Sequence, residues 1–221
     1  MPAAPKKKEG NGEPGVRTPQ QARSRRTRAR VLEAAVEVFE ERGYEESTTA
    51  EIARRASVAV GSVYGYFPDK RAIMLEIVQE TFARSEMEII DALAPELWLE
   101  GDMRQKVRAL VDTAIRARRL RPGIGRIVWE RFFSDPLVKE AVETIEGKAV
   151  EAIERLLHAT AQRGITNVRD IPSTAFVIHT SVEWIASRVV LGEVPGGMLD
   201  ATINTTSEMI SRLILKEPPA S

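Results

Sequence analysis

Few side chains in this sequence are equipped for covalent or metal chemistry. None of the 221 residues is cysteine, which excludes thiolate metal sites, cysteine nucleophiles and disulfide scaffolds. Imidazole comes only from His158 and His179, too few for a multi-histidine zinc or iron centre, so no metal site is expected. Gly123-x-Gly125 follows no strand signal and lacks a third glycine, so it does not read as a phosphate loop. An all-helical hydrolase or oxygenase would have no nucleophile or ligand set to work with, and neither enzymatic activity nor a cofactor is expected. The spacing offers recognition chemistry instead. Five arginines fall between Arg23 and Arg30, the hydroxyls of Thr48 and Thr49 precede Glu51, and small and aromatic residues mingle from Val60 to Tyr66. Guanidinium groups and helix starts both suit phosphate oxygens.

Charge is unevenly spread. The chain is formally neutral, with 32 basic and 32 acidic residues, yet residues 1–30 hold nine Lys or Arg against Glu9 and Glu13. An excess of +7 in that arm leaves −7 on the rest, an asymmetry that points to a polyanionic partner. Residues 31–75 are themselves acidic, five basic against eight acidic, so affinity for a polyanion must lean on Arg23 to Arg30 and on helix ends. A second basic stretch, 104–131, carries nine Lys or Arg against Asp112 and Glu130; it reads as a solvated helix face in preference to an attractor for an anionic ligand. No apolar run reaches the roughly 18–20 residues of a membrane span, and the start lacks a signal-peptide core. A cytoplasmic protein without a membrane partner is expected.

The elements that must position these groups are helices. No sustained period-2 alternation or Asn-Gly turn signals a strand. The first helix is predicted over 23–42, ended by Gly43, and a second starts at Thr48, where Thr48-Thr49-Ala50-Glu51 has capping-box form. A third runs over 60–66, and Asp69 caps a long fourth. Further helices are predicted at 70–93, 103–120, 124–134, 136–163, 172–191 and 197–215, set apart by Pro and Gly. The fold class is therefore all-α: an N-terminal three-helix helix-turn-helix domain (23–70) after a disordered basic arm (1–22), then a larger helical domain (71–217).

Helix, tight turn and a second short helix make the unit whose last helix enters the DNA major groove. Leu32, Ala35, Phe39, Ile52, Ala56, Val58, Val63 and Phe67 can close its core. The run from Val58 to Lys70, with Ala34 to Tyr44 and Thr48 to Ala53 upstream, resembles the signature of tetracycline-repressor-type (TetR family) regulators over about 45 residues. That resemblance implies phosphate contacts from Thr48, Thr49, Tyr64, Tyr66 and Lys70; Arg26 and Arg28, in the basic run from Arg23 to Arg30, are expected beside them on charge alone. It places base reading on Val60, Ser62 and Gly65, with Gly61 allowing close approach. Two positions depart from the family pattern. Ala59 replaces a usual Ser or Thr cap, and Gly65 replaces a large polar side chain. Thymine-methyl contact from Val60 and shape readout are therefore expected to outweigh bidentate base pairs.

For the body, the resemblance implies a cavity for a small-molecule effector and a homodimer formed by the last two helices. Trp98, Trp129, Phe132, Phe133, Phe176 and Trp184 are the candidate pocket residues. Ala175, His179, Val182 and Ala186, with Ile203, Thr206, Ile210 and Leu213, are the candidate dimer stripes; the competing reading has both stripes facing the chain's own core. The function expected is a regulator on a double-stranded DNA operator, a repressor released by its effector. The alternative is a ligand-binding or interaction protein of the same fold with weakened DNA binding.

Overall fold

The computed structural model describes residues 19–117 and 122–216. Nine α-helices follow one another among these: α1 (Pro19–Arg42), α2 (Thr49–Arg55), α3 (Val60–Tyr64), α4 (Lys70–Ala92), α5 (Met103–Ala117), α6 (Pro122–Ser134), α7 (Pro136–Gln162), α8 (Ile171–Val190) and α9 (Leu199–Ile214). No strand occurs among the described residues, only one isolated antiparallel bridge between Thr166 and Leu215. The helix starts follow from their caps. Asp69, Asp135 and Asp170 each accept a backbone N–H of the following turn, at 2.7, 3.0 and 3.2 Å.

Departures from expectation are local. α1 starts at Pro19 and not near 23, so only residues 19–22 of the expected arm are described, and they are helical; residues 1–18 lie outside the described residues. The expected end of the fifth helix at 120 also lies outside them. α3 is shorter than 60–66 because Gly65 already serves as its C-cap. A 3₁₀ turn at Pro95–Trp98 was not foreseen, since its four residues are too few to show periodicity. Gly43 ends α1 as expected, with φ +78° and its N–H donated to the Phe39 carbonyl at 2.8 Å.

Two hydrophobic cores result. The first joins α1, α2, α3 and the start of α4 to α6 and the first half of α7, around Phe39, Ile52, Val63, Phe67 and Ile73. The second lies among α5, α8, α9 and the second half of α7, with Ile115, Leu157 and Ile203 at its centre. α7 is long enough, about 40 Å at 1.5 Å per residue, to serve both. Its stripe splits accordingly: Val138, Val142 and Ile145 enter the first core, Ala152 and Leu156 the second. A body containing a cavity is thus joined to the helix-turn-helix through shared packing.

Candidate nucleic-acid interface and ligand cavity

The helix-turn-helix is assembled from the residues that local chemistry favours. Thr48 caps α2: its hydroxyl accepts the Glu51 N–H at 3.2 Å, while the Glu51 carboxylate accepts the Thr48 N–H at 3.1 Å. The turn passes through Ser57 in the left-handed region, φ 52°. α3 is held by one buried face, Val63 at 0% and Phe67 at 2% exposure, while its other face is solvent-facing. Val60 is 40% and Tyr64 53% exposed, and Gly61, Ser62 and Gly65 are exposed beside them. A methyl group at Gly61 would meet nothing within 4 Å. Internal packing therefore does not demand that glycine; it leaves the face low enough for another surface to approach. The α2 and α3 ends are joined where the Thr49 and Tyr64 hydroxyls lie 2.9 Å apart. Tyr66 is half-buried against the first core, unlike Tyr64. Ala59 gives α3 no side-chain cap, as its residue type required.

Cations at this end are mostly engaged within the protein. Arg28 forms an ion pair with Glu76 and lies over the Phe67 ring, 5.3 Å from its centroid, so it fastens α1 to α4. Lys70 donates to the carbonyls of Tyr44, Glu45 and Ser47 at 2.6, 3.2 and 2.9 Å. An ammonium has three N–H donors, and all three are used. Arg30 donates to the Ala56 and Ser57 carbonyls, closing the end of α2. Arg55 pairs with Glu37 at 2.9 Å and Glu41 at 2.6 Å, and Arg42 with Glu51 at 2.7 Å. Arg23, Arg25, Arg26 and Arg54 are exposed.

The body holds a cavity of about 80 Å³ bounded by α4, α5, α7, α8 and α9. Its wall is aliphatic, including Leu93, Val107, Val111 and Ile153, with Trp98 as the aromatic member and Glu86, His179 and Glu183 as polar ones. The Trp98 indole N–H is held by the Ala92 carbonyl at 2.8 Å. Burial pushes the His179 imidazolium down, but Glu86, 3.7 Å away, and the charges of Glu183 and Glu146 outweigh it, so its pKa lies above the ordinary value.

Of the six pocket candidates, only Trp98 lines this cavity. Trp129 and Phe132 border a smaller crevice of about 10 Å³ with Glu146 and Glu183. Phe133, Phe176 and Trp184 are 76%, 60% and 54% exposed and belong to the outer surface. The dimer stripes turn mostly inward. Ala175, Ala186, Ile203, Thr206 and Ile210 are buried in the chain's own core, and His179 and Val182 face the cavity. Leu213 alone among them is exposed. The stripe most regular in the sequence is the one a helix turns inward. Glu86 and Glu183 were missed. His179 and Glu183, four residues apart on the same side as Val182 and Ala186, carried the signal: polar groups on an otherwise apolar helix face.

α6 packs against α1 of the helix-turn-helix and against α7 and α8, two of the helices that bound the cavity. The Glu40 carboxylate accepts the Ile124 N–H at 3.3 Å near the start of α6. Near its end Arg131 pairs with Glu45 and lies 4.7 Å from the Tyr44 ring centroid. Arg71 makes a two-pronged bond to Asp135, the N-cap of α7, with its Nε at 2.8 Å. That guanidinium, with the Leu137 and Val138 N–H groups, holds the buried Asp135 carboxyl below the usual carboxylate range. Gly125 lets α6 approach α8 so closely that an added methyl would sit 3.0 Å from Val190 Cγ1.

Residues 31–77 match the family model for bacterial regulatory proteins of the tetR family. SrpR, an HTH-type transcriptional regulator of Pseudomonas putida, is 27% identical over 151 residues, 66% of this chain and 64% of SrpR. The chain spans a little under two thirds of the length of such curated relatives. Among solved structures, a regulator assigned to the TetR family from Mesorhizobium loti aligns with a TM-score of 0.74 at 18% identity, covering 88% of this chain and 99% of that one. SmeT, the repressor of the Stenotrophomonas maltophilia efflux pump SmeDEF, aligns in its triclosan complex with a TM-score of 0.69 at 19% identity, covering 89% and 95%. At these identities the structural likeness establishes the fold.

Proposed function

We propose, from the premise that the chain belongs to the tetR family of bacterial regulatory proteins, that it is a DNA-binding transcriptional regulator: a repressor released from its operator by a small molecule. The observation that carries this reading is α3, anchored by Val63 and Phe67 and bare on the opposite side. Val60 and Ser62 would meet base edges, with Gly61 and Gly65 keeping the backbone close, while Tyr64, Thr48, Thr49 and Arg26 take phosphates. Two recognition helices about 34 Å apart need a homodimer. The outward faces of α8 and α9, with Phe176, Trp184, Met209 and Leu213 exposed, suit a second copy better than the inward stripes do. Such a protein acts on the chromosome, in the cytoplasm.

The cavity would take the effector, as apolar clefts with a few polar groups commonly do. The triclosan complex of SmeT supports a ligand within this fold. An effector that binds differently in two arrangements of α6 shifts their populations, and Arg131, Arg71 and Glu40 carry that shift to the helix-turn-helix.

Titration against the DNA flanking the protein's own gene tests the reading. Saturable binding that outcompetes bulk DNA, altered in sequence preference by Val60→Ala and Ser62→Ala, is the expected result. Equal affinity for flanking and bulk DNA would favour the interaction protein with weakened DNA binding.

A further inference from the structure

We propose that the body cavity takes a small lipophilic cation, an alkylammonium whose charged head is held at Glu183 and whose chain lies against the aliphatic wall. The proposal rests on the reading above that this cavity receives the effector, and it names that effector's chemical class. Glu183 is shared by two spaces in the body: it lines the cavity of about 80 Å³ and the crevice of about 10 Å³. On the cavity side stand aliphatic side chains such as Leu110, Val111 and Ile153. On the crevice side stand Glu146 and the rings of Trp129 and Phe132, whose centroids are 5.3 Å apart. Carboxylates beside aromatic faces suit a positive charge, and the apolar wall beyond them suits a hydrocarbon body.

The balance of charge decides the sign of the ligand. Three carboxylates, Glu86, Glu146 and Glu183, act on His179, and no Lys or Arg lines either space among the described residues. Even a protonated imidazole offsets only one of the three. The cations of α5 are turned elsewhere: Arg104 to Glu208, Arg108 to Asn204, Arg116 to Asp200, and Lys106 to the Leu97 and Glu100 carbonyls. An anionic head would enter a site that is already negative, and an uncharged head would leave that charge uncompensated in an apolar wall. The volume sets the body. A cavity of roughly 150 Å³ holds a benzene ring, so this narrower one takes a slim chain. A head at Glu183 also meets Trp129 and Phe132 of α6, the helix whose Arg131 pairs with Glu45 beside the helix-turn-helix.

The test titrates the full chain by calorimetry with three probes that share one body: hexylamine, which is protonated at neutral pH, hexanol and hexanoate. The amine should bind about tenfold more tightly than the alcohol, and hexanoate more weakly than either. Glu183→Gln, which keeps the shape and removes the charge, should weaken the amine about tenfold and leave the alcohol unchanged. Ala114→Leu, which fills the cavity from α5, should weaken amine and alcohol alike. An amine that binds no more tightly than hexanol or hexanoate, or that is indifferent to Glu183→Gln, overturns the proposal and leaves the cavity standing as the effector site. Amine binding that survives Ala114→Leu places the cation elsewhere on the molecule and overturns the proposal as well. If none of the three probes binds, the reading of the cavity as the effector site fails first, and the proposal falls with it.

Discussion

Around the helix-turn-helix, Arg42, Arg55 and Arg71 are matched by carboxylates and Lys70 by carbonyls, leaving small, apolar and hydroxyl groups on the exposed face of α3. Around the cavity the arrangement is reversed, with Glu86, His179 and Glu183 set into an aliphatic wall. The first site pairs its own charges and presents shape; the second sets ionisable side chains into an apolar wall. The difference teaches where selectivity resides. Under the proposed function, discrimination on α3 would come from how closely the backbone and Val60 can approach, with phosphate attraction supplied from elsewhere. In the cavity, a few polar groups would orient whatever the aliphatic wall accepts, because the low dielectric there strengthens each of them.

The largest test of this separation is Phe67→Ala. Phe67 is buried in the first core only, and emptying such a site costs about 3–5 kcal/mol. Denaturant unfolding followed by a probe in the helix-turn-helix should shift strongly, with DNA binding abolished, while Trp98 fluorescence at the cavity, read with Trp129 and Trp184 replaced by Phe, reports a later transition. Coincident transitions with equal shifts would show that the two cores are one.

Phosphate attraction is tested next. Since Arg28 and Arg30 are engaged inside the protein, replacing the exposed Arg23, Arg25 and Arg26 by alanine should flatten the salt dependence of DNA binding by about 0.9 for each phosphate that these arginines neutralise. Thermal stability and the cavity should be indifferent to the change. An unchanged slope would mean that DNA is held by helix ends and hydroxyls alone.

These two regions also differed in how far the sequence disclosed them. The DNA-facing unit is contiguous: capping box, turn and recognition helix lie within residues 48–67, and local chemistry specifies each step. Helix order in the body was equally legible, because Pro, Gly and Asp caps punctuate it. The cavity was not, since its wall is gathered from five helices and no single stretch records which face meets which. Periodicity located the stripes Ala175–Ala186 and Ile203–Ile210 correctly but could not say whether they met a partner or the chain itself. Phe133, Phe176 and Trp184 misled for the same reason: size suggested a pocket, and only tertiary packing shows them outside. Arg28 and Lys70 show the converse. Charge in the first case and the family pattern in the second pointed to phosphate; within the chain both meet acceptors far away in sequence, which no local stretch records.

A subtler contrast lies in pH. His179 has its folded-state pKa raised from 6.5, because the facing carboxylates outweigh burial. A group raised on folding stabilises fully below its unfolded value and loses that contribution as pH rises through the folded one. The stability advantage of wild type over His179→Gln should therefore be complete below about pH 6.5 and fade above it. Melting temperatures across pH 5.5–8.5 check this. A gap that widened with pH would mean that burial dominates and that the imidazole is neutral in its wall.

The smallest expected effect sharpens the description of α3 itself. This helix begins without a side-chain cap, because Ala59 occupies its N-cap position in the extended conformation, φ −66° and ψ 144°, that a capping residue adopts. Ala59→Ser needs no backbone change and supplies an oxygen for an orphan amide, which should stabilise by about 0.5–1 kcal/mol. Ala59 is exposed, so no internal contact opposes the new hydroxyl. If α3 reads DNA by shape, stiffening its first turn should raise operator affinity without changing sequence preference, and the cavity should not register the substitution. A changed preference would instead place position 59 among the base-reading residues, and the reading face of α3 would then begin one residue before Val60.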